Sequence, residues 1–149
     1  MDTLLDDADR EAVLRRIAAL TPASAGRWGR FSVAGMLCHL RESARMALGE
    51  LPVEPKGKRA FQVFPLKHLL LYVVPFPRGA PTAPELLQGA PGDDFEAEKA
   101  QLAELLARIG LDPRDGPGPV HPLFGPLSRR QWGVATYKHT DHHLRQFGV

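Results

Sequence analysis

Residues 128–148 read SRRQWGVATYKHTDHHLRQFG, and this stretch decides the fold. Ser128 followed three residues later by Gln131 has the spacing of a capping box, in which each side chain satisfies a backbone N–H at a helix start. Leu127 before the cap and Trp132 after it fit a hydrophobic staple. Nothing interrupts the helical pattern until Gly148. A helix turns about 100° per residue; with His139 at zero, His143 lies about 40° away, Trp132 about 20° and Gln146 about −20°. One stripe therefore carries Trp132 and both histidines, and it should face the interior. His142 sits about 60° off, at the border, while Tyr137 and Asp141 point the other way.

His139 and His143 form a His-x-x-x-His pair. Residues i and i+4 on a helix stand about 5–6 Å apart, so two imidazoles can converge on one metal ion. The same pair also suits a polar, partly exposed helix end. A bundle would bring further ligands from facing helices. His39, in MLCHLRES, is the candidate third. The apolar face of its helix is built by Val33, Leu37, Leu40, Ala44 and Leu48, centred about 120–140° from His39. That places His39 at the edge of the core, as a ligand at the mouth of a pocket or as a surface residue. Glu42, one turn on, could orient an imidazole, act as a base, or face water. His121 precedes the last helix and is expected to fix that loop by hydrogen bonding. His68 falls in an irregular segment and takes no role. Cys38 reads as a small buried side chain without the electropositive setting a reactive thiol needs.

Working outward, three more long helices are legible. The first runs from about Asp7 to Leu20, with Val13, Leu14, Ile17 and Leu20 at helical spacing and Thr21–Pro22 as its stop. The second runs from about Ser32, a suitable N-cap, to Gly49. The third runs from about Asp94 to Ile109, where Asp93 and Glu96 have capping-box spacing and Gly110 and Pro113 end the pattern. Between the second and third lies a Pro-rich crossover, residues 50–92, in which only Pro65 to Val74 could hold a short helix. No run alternates with period two, so no sheet is expected. The fold class is all-α, a four-helix bundle with one long crossover, in a single domain over residues 1–149.

The bulk composition fits this reading. The 149 residues are 44% hydrophobic and 24% charged, as in a globular chain. Lys and Arg number 19 against 17 Asp and Glu, leaving +2, so electrostatics give no reason to propose nucleic acid. The short basic run PKGKR, residues 55–59, reads as a solvated loop. A single cysteine fits a reducing compartment. The N-terminal MDTLLDDADRE lacks the basic and apolar regions of a signal peptide. LLLYVVPFP, residues 69–77, is far shorter than the about 20 residues of a membrane span. A soluble cytoplasmic protein is expected.

The order of these features resembles a known superfamily. A mid-helix histidine, a long crossover and a His-x-x-x-His with glutamine three residues later are similar to the DinB-like four-helix bundles. Their signature continues with Arg-Gly-Gln, where this chain has Leu144, Arg145 and Gln146. A finer similarity, from about Trp28 to the end, is to an uncharacterised branch with the pattern HPxFGxLS…WG…YKHxDHHLRQFG. The resemblance implies an up-down-down-up bundle and a nickel or zinc ion held by His39, His139 and His143. It implies a homodimer, and a small-molecule substrate with a low-molecular-weight thiol as partner. His142 or Glu42 would move the proton. Two functions stay open: a metal-dependent enzyme, either thiol-dependent transferase or hydrolase, or a non-catalytic, stress-related bundle with an empty or closed site. A crossover that plugs the histidines would favour the second.

Overall fold

The capping box forms as read. In a computed structural model, the Ser128 hydroxyl accepts from the Gln131 N–H at 3.2 Å, and the Gln131 amide oxygen accepts from the Ser128 N–H at 2.9 Å. The structure describes residues 1–54, 57–79, 82, 84–87, 89–112 and 116–149. Expectations that rest on Pro55, Lys56, Pro81 and Pro113 lie outside these residues.

Among the described residues are five α-helices: α1 (Asp7–Ala18), α2 (Val33–Ala47), α3 (Leu66–Tyr72), α4 (Phe95–Leu111) and α5 (Arg129–Gln146). Two strands, β1 (Pro117–His121) and β2 (Gly125–Ser128), precede α5, and 3-10 turns span Arg59–Gln62 and Pro84–Leu87. The chain is mostly helical. α2 packs on α4 and α5, and α1 packs on the same two helices. Val13 and Ile17 of α1, Leu37 and Leu40 of α2, Leu102 and Leu106 of α4, and Trp132 and Leu144 of α5 make one buried cluster.

Three expectations need correction. First, a small antiparallel sheet exists, pairing Pro117 with Ser128 and His121 with Gly125, with an irregularity between Pro117 and Val120. Its two prolines and a glycine erase the alternation that announces a strand, and proline is tolerated because each strand of a two-stranded sheet is an edge. The hairpin is fixed from outside, by Trp132. Its indole Nε1 donates to the Pro119 carbonyl at 2.8 Å, and a Cβ on Gly118 would lie 2.4 Å from the indole ring. His121 does fix the following turn, as expected, since its Nδ1 accepts from the Leu123 and Phe124 N–H groups at 3.0 and 3.2 Å. Second, α4 is capped by Asp94, not Asp93: its carboxylate accepts from the N–H groups of Glu96 and Ala97. The helix also runs through Gly110 to Leu111. Gly110 is a point of close approach, because a Cβ there would meet the Leu4 carbonyl at 2.9 Å.

Third, the side of α2 that carries His39 does not face solvent. Eleven of its fifteen residues are buried. The apolar stripe faces the core, and the opposite side is covered by Phe31, by the turn at Leu86 and by α5. His39, expected at the core edge, is only 3% exposed. The cover comes from segments distant in sequence, which a single-helix projection does not contain.

No helix among the described residues is long and apolar enough to cross a membrane. Ser128→Ala removes the cap on the helix that carries His139, His142 and His143. It should cost about 1 kcal/mol, read as a lower denaturant midpoint with an unchanged slope.

Candidate metal centre

Helical spacing brings two of the histidines together, and the α2–α5 packing brings the third. His139 Nε2 lies 3.1 Å from His39 Nε2 and 3.2 Å from His143 Nε2. The three rings meet edge to face, with centroids 4.8 to 5.0 Å apart. His39 and His143 are buried and His139 is partly exposed.

The outer ring nitrogens decide what the inner ones can do. His143 Nδ1 donates to the Gln146 amide oxygen at 2.8 Å. The Gln146 amide nitrogen donates to the Trp28 carbonyl at 2.6 Å, which aims its oxygen back at His143. The glutamine needs space: Gly29, at φ 80°, would bring a Cβ within 2.4 Å of that nitrogen. His39 Nδ1 donates to the Leu86 carbonyl at 3.4 Å, and Phe31 stacks on its ring at 5.2 Å between centroids. With Nδ1 protonated on both rings, the Nε2 lone pairs of His39 and His143 point at His139. His139 has one Nε2 and can offer a proton to only one of them.

A further proton, which would charge one of the rings, is held off. Burial lowers the pKa of His39 and of His139, the latter strongly, with the neighbouring imidazoles adding to the effect. His143 is lowered to about 4 by burial, offset in part by its hydrogen bond to Gln146. A divalent ion suits the same point. With metal–nitrogen bonds of about 2.0–2.1 Å, adjacent imidazole nitrogens around a tetrahedral ion stand about 3.3–3.4 Å apart. The 3.1 and 3.2 Å separations lie close to that spacing, and all three donor nitrogens lie within 4.8 Å of one another. Among the described residues this is the one group of three or more His, Cys, Asp or Glu side chains arranged to share an ion.

The other candidates lie apart from the triad or at its rim. Glu42 is buried, but its oxygens take Arg41 at 3.0 Å and Arg45 at 2.9 Å. It belongs to a charged cluster with Arg41 and Glu98 in the α2–α4 groove. Cys38 is buried as expected, yet Arg41 stands 3.4 Å from its sulfur. Burial still dominates and pushes the thiol pKa up. His142 lies beside the triad, its ring 5.2 Å from His143 and 5.2 Å from Phe76. Burial lowers its pKa, so it is neutral at neutral pH. Phe76, from the crossover, also covers His139 at 5.3 Å. A sequence reading gives no signal for Phe31, Phe76 or Leu86 at this site, because they approach through loops.

Comparison with known sequences matches residues 3–148 to the family described as "Protein of unknown function (DUF1569)". The chain belongs to that family. No curated protein and no solved structure matches it.

Two outcomes test this geometry. Gln146→Ala removes the hydrogen bond that aims His143 and should weaken zinc binding by about 10–100-fold in a competition titration. The second concerns pH. The His143 pKa falls from 6.5 to about 4 on folding. Between those values the unfolded chain binds more protons, so stability present above pH 6.5 drains away as pH falls towards 4. Denaturant midpoints of metal-free protein should fall across that window, and His143→Asn should flatten the slope.

Proposed function

We propose that this protein binds one divalent ion, nickel or zinc, per chain through His39, His139 and His143. The convergence of the three Nε2 atoms, with the outer nitrogens of two rings tied to carbonyl oxygens, is the observation that supports it. We further propose that the site belongs to a metal-dependent enzyme, a thiol-dependent transferase or a hydrolase acting on a small molecule. Three neutral imidazoles leave a bound divalent ion its full charge and an open position, which lowers the pKa of a bound water or thiol. His142, on the rim, would take the released proton. Glu42 has no part in this reading, because its carboxylate is committed to Arg41 and Arg45. Similarity to the DinB-like up-down-down-up bundles goes with the proposal, and the mutual packing of α1, α2, α4 and α5 supports it. The proposal also takes the protein to be a cytoplasmic homodimer that binds no nucleic acid.

One observation favours a second reading. The crossover does cover the histidines, through Phe76 on His139 and Leu86 on His39. The protein would then be a closed metal-binding bundle without turnover.

Elemental analysis of tag-free protein purified without chelator should give about one nickel or zinc per chain. His143→Ala and His39→Ala should both lose it. Metal that survives both substitutions, or none in the parent after incubation with either ion, would overturn the metal reading. Phe76→Ala separates the two functions. Faster zinc loss to a chelator with no turnover in thiol-transfer and ester-hydrolysis screens supports the closed site, and turnover in the parent supports the enzyme.

A further inference from the structure

A groove of about 530 Å³ opens beside the histidines, between α5 and the crossover. One wall is aromatic and apolar, from Trp28, Tyr72, Val74 and Phe76. That volume and lining suit a small organic molecule. The groove adjoins the triad through two rings: His142 lines it and touches His143, and Phe76 lines it and covers His139.

The groove is lined by the carboxylates of Asp2 and Asp141 as well as by Arg78, Lys138 and Arg145, and these charges are unequal in their commitments. Arg145 pairs with Asp141 at 2.9 Å, and Arg16 holds the same carboxylate at 2.8 Å. Lys138 donates to the carbonyls of Leu70 and Leu71 at 2.6 and 3.3 Å, at the end of α3. Arg78 differs. Its guanidinium lies 4.1 Å over the Trp28 ring, and no carboxylate among the described residues pairs with it. Stacking fixes the plane of a guanidinium while leaving its N–H edge available for a planar anion. Trp28 in turn stands 6.0 Å from His142, edge to face.

We propose that this groove is the substrate site of the protein, and that it takes a small organic anion, a carboxylate with an apolar body. Arg78 selects the carboxylate, and the body lies along Trp28 and Phe76 with its far end towards His139. Arg78 is thus a specificity-determining residue, and Phe76 the ring that ligand binding must displace to reach the histidines. The substrate assignment rests on the metal-enzyme reading above; the binding of the anion does not.

The test uses 4-phenylbutyrate and its uncharged counterpart 4-phenyl-1-butanol, titrated into the full chain and followed by the indole N–H resonances of its two tryptophans. The acid should shift Trp28 and leave the buried Trp132 unmoved, and should bind about tenfold more tightly than the alcohol. Arg78→Ala should remove that preference by weakening the acid alone, and Arg78→Lys should retain part of it. Both should hold in zinc-loaded and in chelator-treated protein, because neither Arg78 nor Trp28 is a metal ligand. Equal affinity for acid and alcohol, an unmoved Trp28 resonance, or an unchanged preference in Arg78→Ala would overturn the proposal. So would acid binding that requires zinc and ignores Arg78, since the ion would then read the anion. Zinc content, measured on the same samples, reports failure of the metal reading separately.

Discussion

Two imidazole nitrogens stripped of their protons, on His39 and His143, converge on a third, and that convergence constrains everything around it. A proton on His139 Nε2 can serve only one of the two contacts, whereas a cation among the three nitrogens would serve both. The rings are held there by bonds to their far sides: Leu86 for His39, and Gln146, itself held by the Trp28 backbone, for His143. Each of these partners comes from a different segment. Loss of any one frees a ring to turn away, so the site depends on the whole packing of α2, α5 and the loops over them.

The crossover does more than join α2 to α4. It places Leu86 on His39, Phe76 on His139 and His142, and Arg78 on Trp28. Cover and recognition thus come from one segment. A ring that shields buried imidazoles from water also strengthens the electrostatics inside. The same ring sets a barrier to entry, so the segment that covers the site is the segment that must yield.

The long helices were readable because helix signals are local. Ser32, Ser128 and Gln131 cap as their spacing predicts, and His139 and His143 fall on one stripe because four residues make nearly one turn. The misreadings have equally definite causes. Asp93 and Asp94 offer the same side chain one residue apart, and only backbone geometry selects Asp94. The hairpin before α5 is imposed by Trp132 rather than by its own Pro-Gly-Pro sequence. Glu42 lies one turn beyond His39, yet arginines at 41 and 45 neutralise it within the α2–α4 groove.

The sequence by itself determined a helical chain with two inward histidines on its last helix, because capping and the 3.6-residue period are properties of neighbours along the chain. Only the tertiary structure decided that His39 is buried, that its Nε2 meets the other two, and that Phe31, Phe76 and Gln146 complete their surroundings. Those facts depend on how α2, α5 and the crossover pack. Contacts between residues about a hundred positions apart leave no period in a single sequence.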